Sequence, residues 1–263
     1  MRCKKIFLDD KRISEVVFFP RKIEEPSENE NLKPFKVQVA ENIDLGGILY
    51  PYKDEAPTIL LFHGNGEISM DYQGLHPFFF KLGVNLAVID FRGYGFSDGE
   101  PSYLNLIEDA YPAYKEFTKW KNGHNLENSS LFLEGRSLGS VCAAEIGSKN
   151  PEGLKGIIFE SGFADTYNMM TTLFGLSGSN LSREKISPYS NHCRIKKITK
   201  PVLILHGSND WIVPIKEGKK IYNVLPADID KKFIEIKGAN HNTMFSFQEK
   251  YFSALSNFVN RYN

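Results

Sequence analysis

From residue 57 onward, short unbroken apolar runs alternate with longer stretches of helical character. The runs are Thr58 to Phe62, Leu86 to Ile89, Ser130 to Leu133, Gly156 to Phe159, Val202 to Leu205 and Phe233 to Ile236. A strand covered on both faces needs apolar residues at every position, so each run predicts a buried strand. The stretches between them predict helices near 71–82, 102–121, 138–149, 215–225 and 246–261. Strands alternating with helices predict an α/β fold, a mostly parallel central sheet flanked by helices on both faces. The N-terminal part has a different pattern. Val16-Val17-Phe18-Phe19 and Phe35-Lys36-Val37-Gln38-Val39 flank an acidic stretch, residues 24–31, and Ile43 to Tyr50 follows. The alternation in Phe35–Val39 is that of a half-buried strand. Together these segments predict antiparallel N-terminal strands at one edge of the sheet, with the acidic stretch as a solvated loop.

Composition adds little to this pattern but narrows the class. A chain of 263 residues with 41% hydrophobic and 24% charged residues suits one globular domain, 1–263, with a sizeable core. Lysine and arginine number 32 and so do aspartate and glutamate, so net charge gives no reason to expect a nucleic-acid partner. The three cysteines, Cys3, Cys142 and Cys193, are too few and too scattered for a disulfide framework. No His or Cys spacing suggests a metal site, and no window approaches a membrane span. The N-terminus does not read as a signal peptide. A cytoplasmic location is expected.

Chemistry in open α/β sheets collects beyond the carboxyl ends of the strands. After Leu131-Phe132-Leu133 comes Glu134-Gly135-Arg136-Ser137-Leu138-Gly139, a G-x-S-x-G between a predicted strand and a predicted helix. Glycines on either side permit a sharp turn that lifts the serine hydroxyl above the sheet. A serine hydroxyl needs a base to take its proton. Of the histidines after Ser137, His206 belongs to a strand end and His192 to a polar stretch before the next strand. His241 directly follows the last strand, on a loop able to bring an imidazole over the sheet, and is the expected base. The acid should follow a strand and orient that imidazole. Asp210 fits first, Glu160 second and Asp165 third. An oxyanion needs backbone donors, expected from Leu138 after the nucleophile and from Asn65 in His63-Gly64-Asn65-Gly66. His63 reads as structural. The segment from Arg92 to Gly99 reads as architectural, with Arg92 suited to pair with a buried acid.

These motifs, with Arg92-Gly93-Tyr94-Gly95-Phe96-Ser97, appear in an order that resembles the α/β-hydrolase superfamily. More narrowly, the chain resembles small serine hydrolases that include protein depalmitoylases and related lipid hydrolases. The resemblance spans roughly residues 35–260 and implies a Ser137, Asp210 and His241 triad, ester or thioester hydrolysis and no cofactor. It leaves the substrate open. The chain departs from depalmitoylases at the N-terminus, where Cys3 replaces a cysteine cluster; an unmodified terminal cysteine is expected. Ser137 argues against a dehalogenase or an epoxide hydrolase, which use aspartate at that position. A peptidase of the same fold and a ligand-binding receptor with little turnover are the alternatives.

Residues 161–200 separate two strands and are long for a crossover, which predicts a cap insert over the serine. Its Phe163, Met169, Met170, Leu173 and Phe174 either line a pocket for an apolar acyl group or pack the insert onto the body. Met170, Phe174 and, beside the acid, Trp211 are the candidate pocket residues. The expected partner is a small-molecule or lipid-like acyl ester or thioester.

Overall fold

The computed structural model describes residues 7–177 and 181–263. Cys3 and its basic neighbours lie outside the described residues. The described residues form an eight-stranded sheet of β1 (Lys33–Ala40), β2 (Ile43–Tyr50), β3 (Thr58–Phe62), β4 (Asn85–Ile89), β5 (Leu131–Arg136), β6 (Leu154–Glu160), β7 (Val202–Gly207) and β8 (Lys231–Ile236). Their order is β1-β2-β4-β3-β5-β6-β7-β8. β2 pairs antiparallel with β1 and β4, and β3 to β8 pair in parallel.

Along β3 to β7 the apolar runs are unbroken because both faces of the sheet are covered; β8, at the edge, is interrupted by the exposed Glu235. On one face Leu60, Leu133, Ile157 and Ile204 pack with residues of the helices Tyr103–Asn122, Ser140–Ser148 and Ile215–Val224. On the other face Leu61, Phe132, Ile158 and Leu203 pack with residues of His76–Lys81 and Gln248–Tyr262. Successive strand residues point to opposite faces, so each run feeds two cores at once.

Strand order sets where the loops meet. The chain runs from β3 outward to β4 and then returns to the far side of β3 to form β5. This reversal opens a crevice between the ends of β3 and β5, the usual place for a ligand in such sheets. Phe62 lies opposite Gly135 in the register, so the loop after β3 and the turn after β5 leave the sheet side by side.

Two predicted elements differ. Val16–Phe19 is not a strand: Val16 and Val17 end a helix, Lys11–Val17, and the chain is extended from Phe18. Asp10 caps that helix by accepting the Arg12 N–H at 3.0 Å, a local signal that outweighs the strand propensity of two valines. The predicted helix over 71–82 is a 3₁₀ turn, Ser69–Gly74, followed by a short helix, His76–Lys81, with Pro77 in its first turn, where a missing N–H costs nothing. Between β6 and β7, residues 161–200 hold a series of short helical pieces, among them Met169–Leu173, Arg183–Ile186 and Asn191–Ile195.

Candidate active site

Ser137 sits between β5 and the helix Ser140–Ser148 with φ at +50°, a left-handed conformation that costs a side-chain-bearing residue energy. The glycines beside it are required by contact. A Cβ on Gly139 would fall 1.9 Å from the Phe62 carbonyl oxygen, and one on Gly135 would fall 2.6 Å from the Gly139 oxygen. The turn is therefore packed backbone on backbone.

His241 is carried by the loop after β8 and Asp210 by the loop after β7. Asp210 Oδ2 lies 2.7 Å from His241 Nδ1, and His241 Nε2 lies 2.9 Å from Ser137 Oγ. Asp210 Oδ1 accepts the backbone N–H of Ile212 at 3.0 Å and of Val213 at 2.8 Å. Burial works to raise the Asp210 pKa. The His241 hydrogen bond and charge and the Val213 amide outweigh it, so the carboxyl is held below its usual range. An ionised Asp210 fixes the tautomer: Nδ1–H donates to Oδ2, leaving Nε2 to accept the Ser137 hydroxyl proton.

The other candidates make different contacts. His206 is buried beside the acid, its Nε2 3.6 Å from Asp210 Oδ2 and donating to the Val213 carbonyl at 2.8 Å. His192 sits against Cys193 Sγ at 3.3 Å. Asp165 caps the turn Thr166–Asn168 and pairs with Arg183 at 2.6 Å. His63 is fully buried, donating from Nδ1 to the Gly64 carbonyl at 2.7 Å. Arg92 pairs with Asp109 at 2.5 Å, and both border a different cavity from the one that contains Ser137.

Asn65 and Leu138 both line the cavity that contains Ser137 and His241. Leu138 lies in the first helical turn after β5, where backbone N–H groups have no intrahelical acceptor. The loop bearing Asn65 is braced from below. Glu67 accepts the Gly64 N–H at 2.9 Å and the Arg136 Nε–H at 2.7 Å. Arg136 also donates to Glu160 and, at 3.1 Å, to the backbone carbonyl of His241. One buried guanidinium thus touches the loop after β3, the end of β6 and the histidine loop. It keeps its charge despite burial because Glu160 and Glu67 face it. Burial also acts against Glu67, but Arg136 and the Gly64 amide hold its pKa down at about 2.

Below this lies a second acid. The Tyr251 hydroxyl, from the helix Gln248–Tyr262, sits 2.9 Å from Glu134 Oε1 and 3.0 Å from Glu160 Oε2. A phenol has one proton, so it can donate to only one of them. Burial and then the neighbouring Glu160 push Glu134 up to about 8. Burial raises Glu160 as well, but there Arg136 opposes it, so of the two acids bridged by the Tyr251 hydroxyl Glu134 is the one pushed further towards its neutral form.

The cavity measures about 390 Å³. Met170 and Phe174 are in its wall, with Phe163, Met169 and Leu173 from the same insert. Trp211 is not: its side chain is 87% exposed, and Ile212 lines the cavity in its place. The cause is the tight turn after Asp210, whose carboxylate holds the amides of residues 212 and 213 and turns the indole outward. Phe19 also lines the cavity, and nothing in its sequence surroundings marked it. The Arg136 network was missed too, although charged residues inside or closing the apolar runs, Glu134, Arg136 and Glu160, were a usable signal. Among the described residues no group of three or more His, Cys, Asp or Glu is placed to hold a metal ion, and no helix is long and apolar enough to cross a membrane.

The sheet, with its antiparallel β1 and β2, and the turn at Ser137 define an α/β hydrolase. The profile of the serine aminopeptidase S33 family matches residues 53–184 and 190–247, and the chain belongs to that family. Protein bem46 of Schizosaccharomyces pombe is 30% identical over 209 residues, covering 78% of this chain and 68% of bem46. The α/β-hydrolase domain-containing protein WAV2 of Arabidopsis thaliana is 29% identical over 220 residues, covering 78% of this chain and 70% of WAV2. Among solved structures, the Pyrococcus furiosus esterase Pf2001 superposes with a TM-score of 0.70 at 19% identity, over 93% of this chain and 99% of the esterase. The Pyrococcus horikoshii acylaminoacyl peptidase gives 0.66 at 15% identity, over 88% of this chain and 41% of the peptidase. At such identities the likeness is one of fold.

Proposed function

We propose that the protein is a serine hydrolase that cleaves a carboxylic ester or thioester of an apolar acyl group through an acyl-enzyme. The observation that carries this reading is the hydrogen-bonded array of Asp210, His241 and Ser137, at 2.7 and 2.9 Å, opening into a largely apolar cavity. Ser137 Oγ attacks the acyl carbonyl while His241 Nε2 takes its proton. The Asn65 and Leu138 amides receive the charge that develops on the carbonyl oxygen. His241 then protonates the leaving alcohol or thiol, and water, deprotonated by the same imidazole, releases the acid. The residues 161–200 act as a cap whose Met170 and Phe174 receive the acyl chain, since flexible thioether and aromatic side chains suit such a ligand.

A peptidase that selects a free amino terminus needs an unpaired carboxylate near the serine. The acid lining this cavity, Glu67, is committed to Arg136 and the Gly64 amide, which favours the ester reading. The test is labelling with a fluorophosphonate, on wild type and Ser137→Ala, followed by p-nitrophenyl esters of increasing length. Labelling that depends on Ser137, with turnover of the esters, is the expected result. A folded wild type that neither labels nor turns over would refute the proposal and favour a binding protein.

A further inference from the structure

We infer that the N-terminal arm, residues 17–21, is a working wall of the substrate cavity, with Phe19 as a specificity-determining residue. We further infer that the Asn65 side chain ties this wall to the loop carrying an oxyanion donor. The inference rests on the serine-hydrolase reading above for its catalytic half.

The arm is fastened at both ends of the contact. Val17 and Phe18 are buried in the core, whereas Phe19 is 58% exposed and still lines the cavity. Leu173 from the insert and Ile212 from the loop after Asp210 line the same cavity and are also partly exposed, at 40% and 39%. Three separate segments thus each contribute a half-wet apolar side chain to one cavity. Such a side chain loses its remaining contact with water only when an apolar chain lies against it.

The link to the loop runs through one carboxamide. Asn65 Nδ2 donates to the Val17 carbonyl at 2.7 Å, and Asn65 Oδ1 accepts the Phe19 N–H at 3.1 Å and the Tyr94 hydroxyl at 2.7 Å. The Phe19 N–H also reaches Tyr94 Oη at 2.9 Å. Arg21 donates to the Gly66 carbonyl at 3.2 Å, and a Cβ on Gly66 would lie 3.9 Å from that of Phe19. The architectural segment after β4 holds the arm from behind: the Gly95 N–H donates to the Arg21 carbonyl at 2.8 Å, and the Ile23 N–H to the Gly95 carbonyl at 3.0 Å. Asn65 lines the cavity that contains Ser137 while its side chain holds the arm, which couples the position of the arm to that of the loop.

The experiment compares wild type, Phe19→Ala and Asn65→Ala in the full chain. It uses p-nitrophenyl esters from acetate to dodecanoate, and binding of dodecanoic acid. Phe19→Ala is expected to lower kcat/KM for the long esters about tenfold through KM, the order of one lost apolar contact, and to lower it less for acetate, so that the ratio of long to short esters falls. Dodecanoic acid binding should weaken to a similar degree. Asn65→Ala keeps its backbone N–H; it should reproduce the loss on long esters and also lower kcat on acetate about tenfold. An unchanged ratio of long to short esters in Phe19→Ala overturns the wall. An unchanged acetate kcat in folded Asn65→Ala overturns the coupling. If wild type shows neither labelling nor turnover, the hydrolase reading falls. The wall is then judged by dodecanoic acid alone, and equal binding to wild type and Phe19→Ala overturns it. Phe19 is half exposed, so its truncation leaves the core intact and keeps the test open if Asn65→Ala fails to fold.

Discussion

Replacing Asp210 by asparagine should cost far more than the loss of one hydrogen bond, because the surroundings dictate which way the amide points. Oδ1 of Asp210 accepts two backbone N–H groups, from Ile212 and Val213, at 3.0 and 2.8 Å. An asparagine keeps both only with its carbonyl on that side, which turns the NH₂ towards His241 Nδ1, now 2.7 Å from Oδ2. Nδ1 must then accept and Nε2 must carry the proton, so the imidazole faces Ser137 with a donor where a base is needed. The opposite flip aims an NH₂ at two donors and leaves both amides unpaired. Wrong-tautomer substitutions of this kind lower kcat by about 10⁴, equivalent to about 5.4 kcal/mol of transition-state stabilisation. The fold should survive, since size and shape are kept. The assay is burst-phase acylation by p-nitrophenyl acetate, with fluorophosphonate labelling as a second measure of Ser137 reactivity. KM should change little. A kcat within tenfold of wild type would refute the argument and mean that Asp210 does not set the tautomer.

Three further outcomes follow from the same geometry. Glu134→Gln should raise the melting temperature at pH 8 to 9 and flatten its pH dependence. A carboxyl whose folded pKa lies at about 8 rather than 4.5 stabilises the fold at low pH and loses that contribution as pH rises through the interval, whereas glutamine is neutral throughout; identical slopes for the two proteins in thermal melts would contradict this. Gly139→Ala should reduce labelling at least 100-fold or prevent folding, because the new Cβ meets the Phe62 carbonyl oxygen at 1.9 Å, with backbone on both sides and nothing flexible to yield; circular dichroism with labelling separates the two cases, and a native labelling rate in folded protein would show that the turn is more plastic than its packing implies. Met170→Ala, at a buried position of the cavity wall, should shift the preferred p-nitrophenyl ester towards longer chains while lowering stability by about 2–5 kcal/mol; an unchanged chain-length profile would move Met170 from the acyl site to the packing of the insert.

The features legible in the sequence were those that one local rule decides. A strand buried on both faces is apolar along its buried run, so β3 to β7 could be read from their composition, while the edge strand β8, broken by the exposed Glu235, was read from Phe233, Ile234 and Ile236. The serine turn could be read because only glycine fits on either side of Ser137. The order of strands and loops then led to Asp210 and His241; in the structure Asp210 lies within hydrogen-bonding distance of His241, and His241 of Ser137. What could not be read depends on contacts between distant segments. Phe19 and Asn65 are 46 residues apart, and Val16 to Phe19 carried a strand-like composition that a single capping aspartate overrode. Trp211 was expected in the cavity beside the acid. The direction of its side chain depends on a turn built around Asp210, which chain order does not reveal. Arg136 occupies a variable position of the serine motif, and its role appears only once Glu67, Glu160 and the His241 carbonyl converge on it.

The hydroxyl of Tyr251 between Glu134 and Glu160 has a consequence for how the protein is made. Synthesis delivers β5 and β6 first, and with them two neighbouring acids, before the hydroxyl that bridges them exists. The residue that bridges them arrives more than 90 positions later, after His241. A ribosome-bound chain ending before residue 251 therefore holds Ser137 on an unfinished support, and stalled chains of that length should remain unlabelled by fluorophosphonate while longer, released chains react. Reactivity should then be gained only once the helix Gln248–Tyr262 is in place.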